Sequence, residues 1–457
     1  MGSACAADHP ESVTPLVFIT APKVSGIRYR ISSMSDLFGL GVARRDVLRA
    51  SALAVPAVLS AAQASNALKV GLVGCGGRGT GAAAQALKAD DFAELTAVAD
   101  IDLERIDASL ATLTKVAGAK VKVDPAKKFV GLDAFEKVIN SGVDVVLLAT
   151  PPGFRPQHLR RCIEAGKHVF CEKPVATDAP GIRSVLETAK LAKEKNLSLV
   201  AGFCWRYHNV IKATFDQVAA GAIGNIMAYY ATYYTSPVKP MPPANTRPAG
   251  MSDVEWQIRN WYNFGWLCGD GLVEQAVHSV DKIAWAMKDK PPVSCTAVGG
   301  RQIPAHGGNI FDHIEVNYLY PDGVRAFMGC RQIEQCYNEN ADYILGTEGV
   351  CTIGRGARPK ITGKTTWSFE GTPYDMYQAE HDALFASIRQ GKPLNDGERM
   401  TTSTMLAIMG RMAAYTGQQL TWEQALNSQE KLVPDTIDWG GSLPEMPMAR
   451  PGITKFV

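Results

Sequence analysis

The sequence contains no uninterrupted apolar run approaching the roughly 20 residues that a membrane-spanning helix requires, so insertion into a bilayer is not expected. None of its 10 cysteines forms a Cys-x-x-Cys pair. That removes the usual signature of a zinc site or a thioredoxin-like redox pair, and no metal is expected. Neither sign of charge is in excess: 47 Lys and Arg face 45 Asp and Glu, a net charge of +2. Nucleic-acid binders normally carry a basic stripe, so no nucleic-acid partner is expected. The composition is equally far from collagen-like, coiled-coil and disulfide-scaffold chains. What is present is 46% hydrophobic and 20% charged residues in a chain of 457. At about 150 residues per domain this is material for two or three domains of an enzyme or binding protein.

Residues 1–64 read as an export signal. Arg44 and Arg45 open the stretch Arg-Arg-Asp-Val-Leu-Arg, small apolar residues run from Ala50 to Ala62, and Ala62-Gln63-Ala64 has the form of a cleavage site. The apolar stretch, broken by Pro56, is too short to span a bilayer. Paired arginines mark the twin-arginine type of signal, which exports proteins already folded. Met34 offers an alternative start with a conventional lead-in. The expected location is the periplasm or another compartment outside the cytoplasm. This leader carries six basic and four acidic side chains, so the remaining 393 residues carry 41 of each and are neutral overall. Cys75, Cys171 and Cys204 fall in or beside predicted strands, where free cysteine is usually a small buried apolar residue.

From residue 66 to 203 the chain alternates strand and helix patterns. Leu68–Gly74, Glu94–Asp100, Val143–Ala149 and Lys167–Cys171 are short apolar runs typical of buried strands. Helical stretches lie between and after them, near 80–90, 102–117, 131–141, 155–166 and 178–195. The alternation implies a parallel sheet covered on both faces. Gly74-Cys-Gly76-Gly77-Arg78-Gly79 follows the first strand and opens a helix, and Asp100 closes the second strand 21 residues beyond Gly79. That context is the dinucleotide-binding fingerprint. Gly74 permits the tight turn, Gly76 lets the backbone approach a pyrophosphate, and Gly79 allows close helix–strand packing. The helix N-terminus offers free N–H groups to the phosphates. Asp100 can accept from both ribose hydroxyls and repels a 2′-phosphate, which favours NAD over NADP. Asp102 is the expected N-cap of the next helix. Thr150 and Pro151 end the third strand at the ligand crevice, and His158 lies on the helix that follows.

Glu172-Lys173-Pro174 lies at the end of the strand expected nearest a nicotinamide. A lysine there can hydrogen-bond a substrate hydroxyl and assist removal of its proton. Together the glycine loop, Val-Ala-Asp100, His168-Val-Phe-Cys-Glu-Lys173-Pro174, Gly202-Phe-Cys-Trp-Arg206-Tyr207, Gly269-Asp-Gly-Leu-Val-Glu274-Gln-Ala-Val-His278-Ser-Val-Asp281 and Tyr377-Gln-Ala-Glu-His381 resemble one family. It is the glucose–fructose oxidoreductase, inositol dehydrogenase and rhizopine-catabolism (Gfo/Idh/MocA) family, and the resemblance runs over roughly residues 68–392.

The resemblance implies an α/β protein with an N-terminal Rossmann dinucleotide-binding domain, residues 66–203. A C-terminal α/β domain, 204–392, would carry a large open, mostly antiparallel sheet with the substrate pocket and oligomer contacts. Residues 393–457 would supply helices and a tail packing back on both. The Tyr-, Thr- and Ala-rich stretch Asn225–Ser236 agrees, as does the hairpin signal Pro321-Asp-Gly323 within Phe311–Gln332. In that family a lysine, an acid and a histidine four residues after the acid form the working group. Lys173, Glu274 and His278 match, with glutamate where aspartate is usual. On a helix, positions four apart share a face, so Glu274 and His278 can point into one pocket. His278 is then the candidate general base. Arg206 is a candidate contact for the cofactor. Trp256, Arg259, Trp261, Tyr262 and Trp266 cluster before the Glu274 segment, where aromatic faces and polar tips suit sugars. Tyr207, Arg259, Trp261, Trp266, Asp281 and His313 are the substrate candidates.

The expected function is NAD-dependent oxidation of a hydroxyl on a sugar, cyclitol or glycoside. Because free NAD is not dependable outside the cytoplasm, an exported enzyme is expected to keep its nucleotide tightly bound. The alternative is an NAD-dependent glycosidase that oxidises its substrate transiently, eliminates the aglycone and reduces the product. A non-catalytic dinucleotide-binding module is a third reading. A homodimer or homotetramer is expected from the family.

Overall fold

The run Leu68–Val73 forms a strand, β1, because Val70, Leu72 and Val73 are all buried and apolar, so both faces of the strand are covered. The computed structural model describes residues 66–303, 305–354, 356 and 358–457, and the expected leader 1–64 lies outside the described residues. After β1 come α1 (Gly77–Ala89), β2 (Ala93–Asp100), α2 (Leu103–Ala117), β3 (Lys128–Val130) and α3 (Ala134–Ile139). Then follow β4 (Val145–Leu148), α4 (Arg155–Glu164), β5 (His168–Cys171), α5 (Ala179–Glu194) and β6 (Leu199–Ala201). The six strands make one parallel sheet in the order β3-β2-β1-β4-β5-β6, the doubly wound arrangement whose ligand crevice lies outside the carboxyl ends of its strands.

The first helix begins at Gly77 instead of Thr80, because Gly74 turns the chain within a single residue at φ +98°. Gly77, Arg78 and Gly79 therefore form its first turn. Strand β6 is the strand expected beside Cys204, whereas β3 has no counterpart among the expected elements, being only three residues long, too short for a period to show.

The second half contains α6 (Asn209–Ala219), β7 (Ile226–Thr235), α7 (Asp253–Arg259), α8 (Gly265–Cys268), α9 (Gly271–Glu274) and α10 (Val277–Ala286). Strands β8 (Ser294–Gly300), β9 (His313–Leu319), β10 (Arg325–Gln332), β11 (Glu339–Gly346), β12 (Gly349–Gly354), β13 (Lys360–Gly363) and β14 (Trp367–Ser368) follow. The chain continues through α11 (Met376–Arg389), α12 (Gly397–Thr416), β15 (Leu420–Thr421) and α13 (Trp422–Asn427). Nine strands form an open sheet, β14-β13-β12-β11-β7-β10-β9-β8-β15. It is antiparallel except where β10 runs parallel to β7. The turn at Pro321–Gly323 joins β9 to β10 as a hairpin.

Helix α12 is apolar on nearly every side and is buried along its length. It packs on β8 and α10 of the second half and on α5 of the first. Asn395, just before it, bridges the edge strand β6 at Leu199. Residues Asn66–Val457 thus form one compact unit. No described helix is long and apolar enough to cross a membrane. Of the nine cysteines described, all are free thiols and only Cys336 is exposed.

Candidate active site

The glycine loop occupies the carboxyl end of β1. A side chain at Gly74 would meet the main chain of Ala149 at 2.8 Å, and one at Gly79 would meet the Gly74 carbonyl oxygen at 1.8 Å. Those two positions hold the helix against the strands. Gly76 and Gly77 differ, since a Cβ on either would meet nothing within 4 Å. The N-terminus of α1 has no side-chain cap, so its first N–H groups stand beside open space. This arrangement fits the pyrophosphate of a dinucleotide. At the end of β2 the Asp100 carboxylate accepts from the Cys75 main-chain N–H at 2.7 Å. Burial raises its pKa above the usual aspartate value, against the hydrogen bond from Cys75. Asp102 caps α2 by accepting from Glu104 N–H at 3.0 Å.

Beyond the ends of β4 and β5 lies a cavity of about 770 Å³. Arg78, Glu172, Lys173, Trp261, Glu274 and His278 all line it. Lys173 Nζ donates to the Glu274 main-chain carbonyl at 2.7 Å and stands 3.5 Å from the Glu274 carboxylate. Glu274 ends α9, whose first turn is set by Asp270. Its carboxylate accepts from Leu272 N–H at 3.2 Å, Phe311 N–H at 2.9 Å and the Tyr415 hydroxyl at 2.6 Å. Asp270 holds φ at +94°, a strained conformation for a residue with a side chain. The helical face expected to join Glu274 and His278 is interrupted at Gln275–Ala276, where Ala276 N–H reaches back five residues to the Gly271 carbonyl. Both side chains nevertheless reach the same cavity.

His278 makes no hydrogen bond among the described residues, and its Nδ1 is enclosed without a partner. Burial, followed by the charges of Lys173, Lys282 and Arg78, holds its pKa well below the ordinary histidine value. The imidazole is therefore neutral across the usual pH range. Glu172 ion-pairs with Arg78 from the glycine loop, and Arg78 also reaches Glu380 of α11 at 2.8 Å. Gly202 must be glycine for Glu172 to sit there, since a Cβ would lie 2.6 Å from its carboxylate.

Several expected site residues lie elsewhere. Arg206 is not in the cavity: it pairs with Asp281 at 2.9 Å and also with Asp289, and Ser403 donates to Asp281 at 2.7 Å. Arg206 and Asp281 therefore complete each other inside the protein and present nothing to a cofactor or a substrate. The Tyr207 hydroxyl donates to Asp396 at 2.8 Å and accepts from Arg399 at 2.9 Å, outside the cavity lining. Arg259 is held by Asp102 and Glu255, each at 2.8 Å. Trp266 is buried, its indole N–H donating to Gln257 at 2.7 Å. His313 pairs with Asp312 at 2.8 Å outside both cavities. His158 is stacked on Phe135, with ring centroids 3.9 Å apart, and its Nδ1 lies 3.3 Å from the Thr150 hydroxyl. Burial, then the Arg155 charge, lowers its pKa to about 3. It is a packed neutral ring behind the Thr150–Pro151 loop.

The cavity also holds side chains that sequence reasoning passed over. Lys282, one turn beyond His278 on α10, is buried and ion-paired with Asp342 of β11, which also accepts from Tyr229 at 3.1 Å. A lysine four residues after His278, on the same helical face, was the available signal. Arg155, the first residue of α4, is buried in the wall. Tyr262, Glu274 and Gln275 also face a second cavity of about 390 Å³, so the two spaces adjoin.

Residues 68–203 match the model of the Gfo/Idh/MocA oxidoreductase family, NAD-binding Rossmann fold. The chain is 26% identical to the inositol 2-dehydrogenase of Rubrobacter xylanophilus over 72% of its own length and 93% of that protein. It is 29% identical to the dTDP-3,4-didehydro-2,6-dideoxy-alpha-D-glucose 3-reductase of Actinomadura kijaniata, over 38% of this chain. That match spans about half, 48%, of the reductase. In fold the chain is similar to the aldose-aldose oxidoreductase of Caulobacter crescentus, with a TM-score of 0.61 and 19% identity over 78% of this chain and 100% of that one.

Proposed function

We propose that the protein is an NAD-dependent oxidoreductase acting on a hydroxyl of a sugar, cyclitol or glycoside. The observation that carries this reading is the convergence of Lys173, Glu274 and His278 on one cavity beside a dinucleotide loop. The names of the similar proteins, an inositol dehydrogenase and a sugar reductase, support the same substrate class. Gly74 to Gly79 and the N-terminus of α1 would hold the pyrophosphate, and Asp100 the adenosine ribose. A nicotinamide held there would supply the acceptor for a hydride from the carbon bearing the hydroxyl.

The chain's own residues handle the proton. The Lys173 ammonium donates to the hydroxyl oxygen and stabilises negative charge developing there. His278, kept neutral by burial, is free to take the hydroxyl proton. A hydroxyl in the cavity also supplies a hydrogen-bond partner to a ring that has none in the protein. Glu274 fixes the lysine from its carbonyl and carboxylate together, while Arg78 and Gly202 fix Glu172 behind it.

We further propose export through Arg44 and Arg45, retention of a tightly bound NAD, and a homo-oligomeric assembly. Denaturing release of the nucleotide from the purified mature protein tests the main reading, followed by sugar-induced absorbance change of the bound cofactor. Bound NAD and a keto-sugar product are expected. A product unchanged in oxidation state would point instead to the glycosidase chemistry, and absence of any nucleotide affinity would sink both.

A further inference from the structure

Three arginines are buried among the described residues: Arg155, Arg206 and Arg411. Arg206 faces Asp281 and Asp289, and Arg411 faces Glu430. Arg155 faces no carboxylate. Its one hydrogen bond runs from a terminal nitrogen to the Pro174 carbonyl at 2.6 Å, and its Nε is buried with no partner. A buried guanidinium without an anion is costly, because it has given up water and gained little in return.

The imbalance lies in the wall of the candidate active site. Three of the carboxylates lining the cavity are buried, and each has a cation: Glu172 has Arg78, Glu274 has Lys173 and Asp342 has Lys282. Arg155 is the buried cation left over; Arg358, which also lines the cavity with no carboxylate partner among the described residues, is exposed to water. Glu172 and Glu274 act on it through space, yet burial outweighs them and draws its pKa below the usual arginine value. Position adds to the argument. The side chain starts α4 beside the loop after β4, and its bond to Pro174 places it one residue from the Lys173 backbone.

We propose that Arg155 is the binding point for a carboxylate on the substrate, so that the cavity selects a sugar acid, an aldonate or a uronate, over a neutral polyol. The proposal rests on the oxidoreductase reading above and names its substrate class. A planar guanidinium with free N–H groups matches a carboxylate through parallel charge-assisted bonds. Such a ligand would neutralise the buried cation while leaving Lys173 and His278 to a hydroxyl. A phosphate of the dinucleotide offers the same oxyanion chemistry, and the test separates the two sources.

Calorimetric titration of the full chain, with and without NAD, compares D-gluconate and D-glucuronate with D-glucose and myo-inositol. The acids are expected to bind at least about tenfold more tightly than the neutral compounds. Arg155→Met is expected to bring the acids to the neutral level, leaving NAD and the neutral compounds unaffected, and Arg155→Lys to restore part of the preference. Equal or tighter binding of the neutral compounds by the wild-type chain overturns the proposal. So does an Arg155→Met variant whose loss is in NAD affinity, which would assign the anion to the dinucleotide. Should Arg155→Met fail to fold, the wild-type acid-to-neutral ratio and the Arg155→Lys variant still decide. If NAD binds and neutral polyols are oxidised while acids are ignored, this inference fails alone. If neither NAD nor any sugar binds, the oxidoreductase reading fails and takes the inference with it.

Discussion

Lys173 and Glu274, 101 residues apart in the chain, meet twice: the ammonium donates to the glutamate's carbonyl at 2.7 Å and lies 3.5 Å from its carboxylate. The main-chain bond does not depend on which acid occupies position 274. A glutamate in place of the aspartate usual in the family therefore leaves the lysine anchored and frees most of the carboxylate for other work. Its second oxygen receives the Gln275 amide, on the side facing the adjoining cavity.

This double contact gives the first prediction. Lys173→Met is expected to lower kcat by about 10²–10⁴-fold while equilibrium binding of NAD is retained, because the glycine loop does not touch the lysine. Glu274→Gln, which keeps the carbonyl anchor, is expected to lose less. Steady-state kinetics beside a fluorescence titration of NADH checks both.

The pH profile should carry the mark of His278. Its pKa lies well below the ordinary histidine value because of burial first and neighbouring cations second. The neutral, proton-accepting form is then already present at and below pH about 6.5, the ordinary histidine value. The acid limb of kcat/KM is expected well below that pH, and an inflection at the ordinary value would contradict the assignment. His278→Asn should abolish the limb along with most of the rate.

Two glycine substitutions should separate folding from nucleotide binding. Gly79→Ala drives a Cβ into the Gly74 carbonyl and is expected to destabilise the apoprotein by about 1–3 kcal/mol, the usual cost of overpacking. Gly76→Ala meets open space. It should leave the apoprotein melting temperature nearly unchanged yet weaken NAD binding, since the methyl occupies the approach to the phosphates.

Arg206→Met is expected to act on stability rather than on the cofactor. Removing it leaves the buried Asp281 carboxylate without its ion pair, a change that typically costs about 3–5 kcal/mol. Melting temperature should fall clearly, while KM for NAD in the folded fraction stays within its usual range.

Acid stability should report the buried histidines. His158 has its pKa lowered to about 3, and His381, tilted against Phe170 with both ring nitrogens unpartnered, well below the ordinary value. In the unfolded chain each protonates near pH about 6.5. Between the folded and unfolded values only the unfolded state binds the proton. Stability is therefore complete above about 6.5 and falls as pH drops below it, by up to about 1.4 kcal/mol per unit for each group. His381→Leu is expected to remove one such contribution, measured as a shallower fall of melting temperature between neutral and mildly acid pH.

The doubly wound domain was legible because its signals are local. A glycine loop between an apolar run and a helix, with Asp100 at the next strand end, specifies turn geometry and strand direction within about 30 residues. The Lys173, Glu274 and His278 group was legible through its resemblance to a family, although the helical argument for Glu274 and His278 missed the break at Gln275–Ala276. The short strand β3 was not, because three residues carry no period. Arg206, Tyr207, Arg259, Trp266, Asp281 and His313 were misplaced for a common reason. Each is a polar or aromatic residue in a plausible segment, and nothing in the chain states whether its partner is a ligand or another side chain.

By itself the sequence determined the Rossmann domain, the dinucleotide loop and the residue types available for proton transfer, since these depend on neighbours along the chain. Only the tertiary structure decided how the charges are shared. It sent Arg206 to Asp281 and Asp289, gave Lys173 to Glu274 and Lys282 to Asp342, and left Arg155 buried with no carboxylate. A charge is costly or harmless according to what stands within a few ångströms of it after folding, and those neighbours come from segments that the chain order keeps far apart.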